Sequence, residues 1–280
     1  LKRRNIPSVL TDYLQANHYI LIRDWTRARQ LLSRIQTDLS RMYPILGGRA
    51  NELIAICHGE LGDVESQQAA IQRAVAANPD SLTARMEYVQ QLVNRGDFDQ
   101  AIDQYKKLLK DVPQVWYSLA RLMMYRTLLK PKTEQNWDEI EAVIAENANP
   151  STAEPAVMRA EILVARGKAR DAQALLEGAR KQFPKSVSVW ASLIGLTAIQ
   201  LENPAEANKL LEEANKLLGD KVELRLEKAY ILTKSEKNAI ESEKKGAKPE
   251  KEQIEALGKK LEAIAENANG FPAAERRRLY

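Results

Sequence analysis

Turn-forming residues return along this chain on a fixed ruler. Gly62 and Gly96 lie 34 residues apart, as do Pro79 and Pro113, while the steps Gly62 to Pro79, Gly96 to Pro113 and Gly167 to Pro184 are each 17. Breaks this frequent leave room only for short elements. A period in this range marks an array whose units cannot bury an apolar face alone and must stack on their neighbours. Between the breaks apolar residues follow helical spacing, as in Ile71 and Val75 or Ile102, Tyr105, Leu108 and Leu109, and period-two alternation is scarce. The expectation is an all-α chain of antiparallel helix pairs, each helix roughly 12 to 16 residues long.

Within each unit the small residues keep step. From a small residue midway along a first helix, a turn residue follows after seven, an alanine after five more, another small residue after seven and a helix stop after five. One unit reads Ala55, Gly62, Gln67, Ala74, Pro79; the next reads Val89, Gly96, Ala101, Leu108, Pro113. A third reads Ala160, Gly167, Ala172, Ala179, Pro184, and a fourth Gly195, Glu202, Ala207, Ala214, Gly219. Helices approaching to about 8–10 Å need small side chains at the crossing. Glycine suits the turn, and proline ends the second helix. Ala16 with Ala28, Ala120 and Ala229 mark further, less regular units, with Asp24 placed to cap the second helix of the first.

With these residues in these steps, the chain resembles the tetratricopeptide repeat family. The resemblance implies a right-handed α-solenoid of about six to seven antiparallel helix pairs. The expected division is an N-terminal pair at 1–47, two regular units at 48–113, an irregular unit with a long turn at 114–152, two units at 153–219, and a degenerate unit at 220–280. This last contains the charged insertion 234–251, read as a solvated loop or helical extension, and the start of a further helix at Pro272. The hexapeptide IAENAN, present at 144–149 and 264–269, is read as two equivalent ends of second helices. The chain begins without a methionine or a signal peptide and is read as part of a longer array.

First helices line the concave surface in that family. Helix geometry then turns inward the positions three before, one after and four after the small residue. The resemblance therefore implies a partner-binding face made of Tyr13, Asn17 and Ile20; Met86, Gln90 and Val93; Tyr117, Arg121 and Met124; Val157, Glu161 and Val164; Ser192, Leu196 and Ile199; and Leu226, Tyr230 and Thr233. The triplet Tyr117, Arg121, Met124 is the favoured site, since methionine and tyrosine suit adaptable binding surfaces. The lysine-then-asparagine spacing of the family's two-carboxylate clamp is missing, so capture of a chaperone tail is not expected.

Chemistry finds little support. No phosphate-loop, dinucleotide, nucleophile-elbow or zinc-helix motif is present, and the only histidines are His18 and His58. Cys57, the single cysteine, excludes an intrachain disulfide, and its neighbour His58 diverges from it by about 100° on a helix. No catalytic residue, metal or cofactor is expected. No stretch reaches the roughly 18 apolar residues of a membrane span, and the cysteine count does not settle the compartment.

The net charge of +4 is uneven: residues 1–50 carry +6 and the remainder −2. Lys2, Arg3 and Arg4 contribute, as do Arg27, Arg34 and Arg41, which repeat every seven residues as a basic stripe on the outer face of a second helix. A solvated face is the ordinary reading of such a stripe, and an acidic or anionic-lipid partner the sharper one. No aromatic residues interleave it, so nucleic acid is not expected. The reading that follows is a non-catalytic protein-interaction scaffold taking a peptide or protein partner. Its alternatives are a structural rod of a large assembly or membrane-associated coat, in which self-association or membrane-surface contact would occur, and the recruiting arm of an enzyme.

Overall fold

The structure is a computed structural model and describes residues 7–243, 251–266, 268–272, 275 and 278. Lys2, Arg3 and Arg4, residues 244–250 of the charged insertion, and most of the helix expected after Pro272 lie outside them. The described residues hold fourteen α-helices and no strand. They form two compact units, 1–115 and 116–280.

The first unit contains α1 (Ser8–Leu21), α2 (Trp25–Met42), α3 (Pro44–Glu60), α4 (Val64–Ala77), α5 (Leu82–Arg95) and α6 (Phe98–Leu108). The second contains α7 (Trp116–Leu128), α8 (Asp138–Asn147), α9 (Glu154–Ala165), α10 (Ala169–Gln182), α11 (Val187–Ile199), α12 (Pro204–Leu218), α13 (Val222–Glu243) and α14 (Lys251–Ala265). Helix lengths run from 10 residues in α8 to 22 in α13, a wider span than the sequence ruler suggests. The two extremes lie at irregular turns, since α8 follows the long 129–137 connection and α13 runs on into the charged insertion, while α2, α3 and α6, at 18, 17 and 11 residues, also depart from the expected length.

The turns show why the ruler exists. At the end of α5, Gly96 takes φ +81°, its N–H donates to Val93 O at 3.0 Å, and the Asp97 N–H donates to Leu92 O at 2.9 Å. This crossed pair satisfies carbonyls that the helix end leaves free. The same pair closes α1 through Arg23 and Asp24, α3 through Gly62 and Asp63, and α9 through Gly167 and Lys168. The next residue already caps the following helix. Asp24 accepts from the Arg27 N–H, Asp63 from Ser66 and Asn203 from Glu206, each at 3.1 Å. A turn of one left-handed residue and one cap has little freedom in length. In α1 and α11, however, the left-handed slot holds Arg23 (φ 59°) and Glu202 (φ 50°) instead of glycine.

The small residues sit where helices cross. Ala16, Ala55, Val89 and Ala120 are fully buried in first helices, as are Ala28, Ala101, Ala172, Ala207 and Ala214 in second helices. Larger side chains fill the space between pairs. Leu31, Leu32, Ile35 and Leu39 of α2 pack with Leu53 and Ile54 of α3 and Ile71 of α4 in the first unit. In the second, Val189, Trp190, Leu193 and Ile194 of α11 pack with Leu176 of α10 and Leu210 and Leu211 of α12. Each such side chain contributes about 1.5–3 kcal/mol of burial. Cys57 is fully buried in α3, and burial pushes its thiol up to about 11 against the lowering effect of Arg29.

Two polar fasteners were not legible in the sequence. Glu52, buried in α3, accepts the hydroxyl of Ser81, the cap of α5, and pairs with Arg49. Arg225 of α13 grips Asp220 through both carboxylate oxygens (2.8 and 2.6 Å) and donates to the carbonyls of Ile264 and Glu266 at the end of α14 (2.8 and 2.6 Å). That second contact holds the later IAENAN segment. Its earlier copy ends α8, where the Asn147 amide donates to Val143 O at 2.9 Å.

Candidate binding groove

First helices α7, α9 and α11 expose side chains along one common face of the second unit. Arg121, Met124 and Leu128 come from α7, Val157, Glu161 and Val164 from α9, and Ser192, Leu196 and Ile199 from α11. They surround a groove of about 430 Å³. Ala160 and Gly195, the small residues of α9 and α11, also line it, with Leu176 of α10. Its walls are chiefly aliphatic.

One edge is polar and fixed. The Tyr117 hydroxyl donates to Glu161 Oε1 at 3.0 Å, and Arg121 Nε lies 3.4 Å from Glu161 Oε2. Burial, reinforced by the Glu161 carboxylate, holds the Tyr117 phenol well above its ordinary value, so it remains a hydrogen-bond donor. Its ring also meets Trp116 edge-on, 5.3 Å between centroids. Arg121 is 60% exposed, so its guanidinium is open to a ligand from the solvent side. Aliphatic walls, a guanidinium and a braced carboxylate can hold a peptide segment. They offer no activated nucleophile or proton relay.

The inward positions named from sequence thus divide. Arg121, Met124, Val157, Glu161, Val164, Ser192, Leu196 and Ile199 meet around the groove, with Tyr117 bracing its edge. Tyr13 and Ile20 pack on the core of the first unit, and the Asn17 amide donates to Tyr13 O at 2.8 Å. Of Met86, Gln90 and Val93, Gln90 borders a smaller, more polar hollow of about 340 Å³ with Ile56, Gln67, Glu87, Gln91 and Asn94, and its amide donates to Asn94 Oδ1 at 2.9 Å. Tyr230 is exposed, and the Thr233 hydroxyl turns back to Ala229 O. The groove residues missed were Leu176, which reaches it from second helix α10, and Leu128, Ala165 and Gln200, the last three lying one helical turn beyond Met124, Glu161 and Leu196. Adding four to those first-helix positions names the last three, whereas Leu176 lies outside the first-helix spacing altogether.

The basic stripe is on the surface of α2 and is charge-compensated. Arg27 pairs with Asp24 at 3.4 Å, Arg34 with Asp12 at 3.0 Å and Arg41 with Asp38 at 2.9 Å, all with exposed guanidiniums. Such pairs contribute little to stability and blunt the attraction for an anionic partner. His58 Nδ1 lies 3.0 Å from Asp63 Oδ2. Among the described residues no group of three or more His, Cys, Asp or Glu is placed to hold a metal ion.

Comparison with known proteins fits this geometry. The tetratricopeptide repeat family profile matches residues 53–115 and 157–215. The fold is similar to that of a tetratricopeptide repeat protein from Parabacteroides merdae, with a TM-score of 0.59 at 12% identity over 97% of each chain. It is also similar to the C-terminal part of a TPR repeat-containing protein from Cytophaga hutchinsonii, with a TM-score of 0.51 at 12% identity over 96% of this chain and 99% of that one. No curated protein sequence matches the chain. At such identities the likeness is one of fold.

Proposed function

Because this chain carries tetratricopeptide repeats over residues 53–115 and 157–215, a fold that generally serves protein–protein interaction, we propose that it is a non-catalytic scaffold. Its groove across α7, α9 and α11 takes an apolar peptide segment of a protein partner. The observation that carries this reading is the groove itself, about 430 Å³ walled by Met124, Leu128, Val157, Val164, Leu196 and Ile199. An interior of that size suits two or three aliphatic side chains, each contributing about 1.5–3 kcal/mol on burial. After the cost of ordering the peptide, affinity in the micromolar range is expected. The Glu161–Arg121 edge gives direction, since a polar group on the peptide meets it from one side only.

Selection from a displayed peptide library against the intact chain tests this. The wild type is expected to enrich sequences with recurrent aliphatic residues. Met124→Glu with Ile199→Glu, at half-buried positions, is expected to weaken the selected peptides at least tenfold while leaving the helical circular-dichroism melt in place. Peptides whose affinity is indifferent to both changes would place the binding face elsewhere.

A further inference from the structure

The polar hollow of the first unit occupies the same place in the repeat as the groove, with different chemistry. It lies between first helices α3 and α5 and reaches Ile71 of α4, sixteen residues after Ala55. The groove likewise lies between α9 and α11 and reaches Leu176 of α10, sixteen after Ala160.

Three departures from the repeat meet in the hollow. Twelve residues after the small residue, where Ala101, Ala172 and Ala207 are fully buried, α4 carries Gln67. Four after it, where Val93, Val164 and Ile199 stand, α3 carries Gly59. The Gln67 amide takes up the room so left, since a Cβ added to Gly59 would come 2.6 Å from its Nε2. Two before the small residue, where Leu53, Met158 and Leu193 are buried, α5 carries Glu87. Together these changes exchange apolar packing for polar surface, and departures of this kind gather at functional sites.

The charge of the hollow is uncompensated. Glu60 and Glu87 line it, no lysine or arginine does, and neither carboxylate has a hydrogen-bond or ion-pair partner among the described residues. Burial and the charge of Glu52 hold the Glu87 carboxyl above its ordinary value; Arg49, which acts the other way, is itself paired with Glu52. The last turns of α3 and α5, which carry Glu60 and Asn94, border the hollow, and helix C-terminal ends favour a positive charge. Gln91 also lines it, with a buried amide nitrogen that donates to no atom of the described residues.

We infer that this hollow receives a basic side chain, lysine or arginine, from a peptide segment of a protein partner. The cation sits between Glu60 and Glu87, and a backbone carbonyl of the same segment accepts from the Gln91 amide once that amide turns inward. A lysine or arginine residue brings several donors and a carbonyl acceptor together, which is what the lining lacks. The hollow thus reads positive charge, as the groove reads aliphatic bulk. This inference shares with the groove reading only the premise that the chain holds peptides. No residue is common to the two, so either can fail alone.

Titration of the isotope-labelled whole chain with blocked tripeptides, followed by nuclear magnetic resonance at the side-chain amides of Gln67 and Gln91, tests this. Those signals are assigned by their loss in Gln67→Ala and Gln91→Ala. Acetyl-Gly-Arg-Gly-amide and its lysine counterpart are expected to shift both signals saturably, with dissociation constants of about 1–10 mM for a single anchored side chain. The leucine counterpart is expected to leave them in place. Glu60→Gln with Glu87→Gln, which keep side-chain shape, are expected to weaken the arginine peptide about tenfold with the circular-dichroism melt retained, and added salt to weaken it as well. Met124→Glu with Ile199→Glu is expected to leave its affinity unchanged. Signals that ignore the arginine peptide up to roughly 50 mM overturn the inference. So do equal shifts from the leucine peptide, or an affinity that survives the loss of both carboxylates. Ethylguanidinium binding as tightly as the arginine peptide would overturn a peptide as the occupant.

Discussion

Arg23 and Glu202 do glycine's work without glycine's freedom. Both hold a left-handed backbone, φ 59° and 50°, in the turn slot that Gly62, Gly96 and Gly167 fill elsewhere. The left-handed region costs a residue with a Cβ roughly 1–2 kcal/mol. Part of that cost is offset by the greater unfolded-state freedom that glycine brings. Arg23→Gly and Glu202→Gly are therefore each expected to stabilise the fold by about 0.5–1 kcal/mol, read as a rise in denaturation midpoint at unchanged slope. The reciprocal change Gly96→Ala should lower it. The slot was legible because its position is set by counting seven from the small residue, whatever occupies it. That two side chains endure it was not, since identity alone does not give φ. Counting also placed Arg121, Met124, Val157 and Glu161 on one helix face each; only the packing of α7, α9 and α11 shows them sharing a groove, as Tyr13 and Asn17 do not.

At the scale of elements, the α11–α13 contact holds an uncompensated acid. Glu227 occupies the position that in α11 belongs to Leu193, and it lies against Gly195, where an added Cβ would come 2.9 Å from its Oε2. Burial pushes the carboxyl up to about 7, with no cation contributing. Its ordinary value lies near 4.5, so between that pH and about 7 the unfolded chain ionises while the folded one keeps its proton. Stability is full below the lower value and is lost as pH rises through the upper one. The melting temperature is expected to fall from pH 5 to pH 8, and Glu227→Gln is expected to remove that part of the fall; an identical pH dependence in the variant would place its origin elsewhere. Helix existence was legible from the period and the caps. The Glu52–Ser81 and Arg225–Ile264 fasteners were not, because each joins residues 29 or 39 apart by a contact that no local spacing records.

At the scale of the molecule, each of the two units carries its own core, the first built on α2, α3 and α4 and the second on α9 to α13. Contacts run mainly between helices adjacent in sequence, so opening one pair need not dismantle the rest. Cys57 gives this a consequence. The single thiol of the chain is sealed in the first unit, and burial keeps it protonated at neutral pH. Modification by a thiol reagent must wait for α3 to part from its neighbours, so its rate should be at least roughly a thousandfold slower than that of a free cysteine. Immediate labelling in the absence of denaturant would mean that α3 is not closed. Under denaturant the same rate becomes a stopwatch for the first unit alone, built into the chain with no added probe and blind to events in the second.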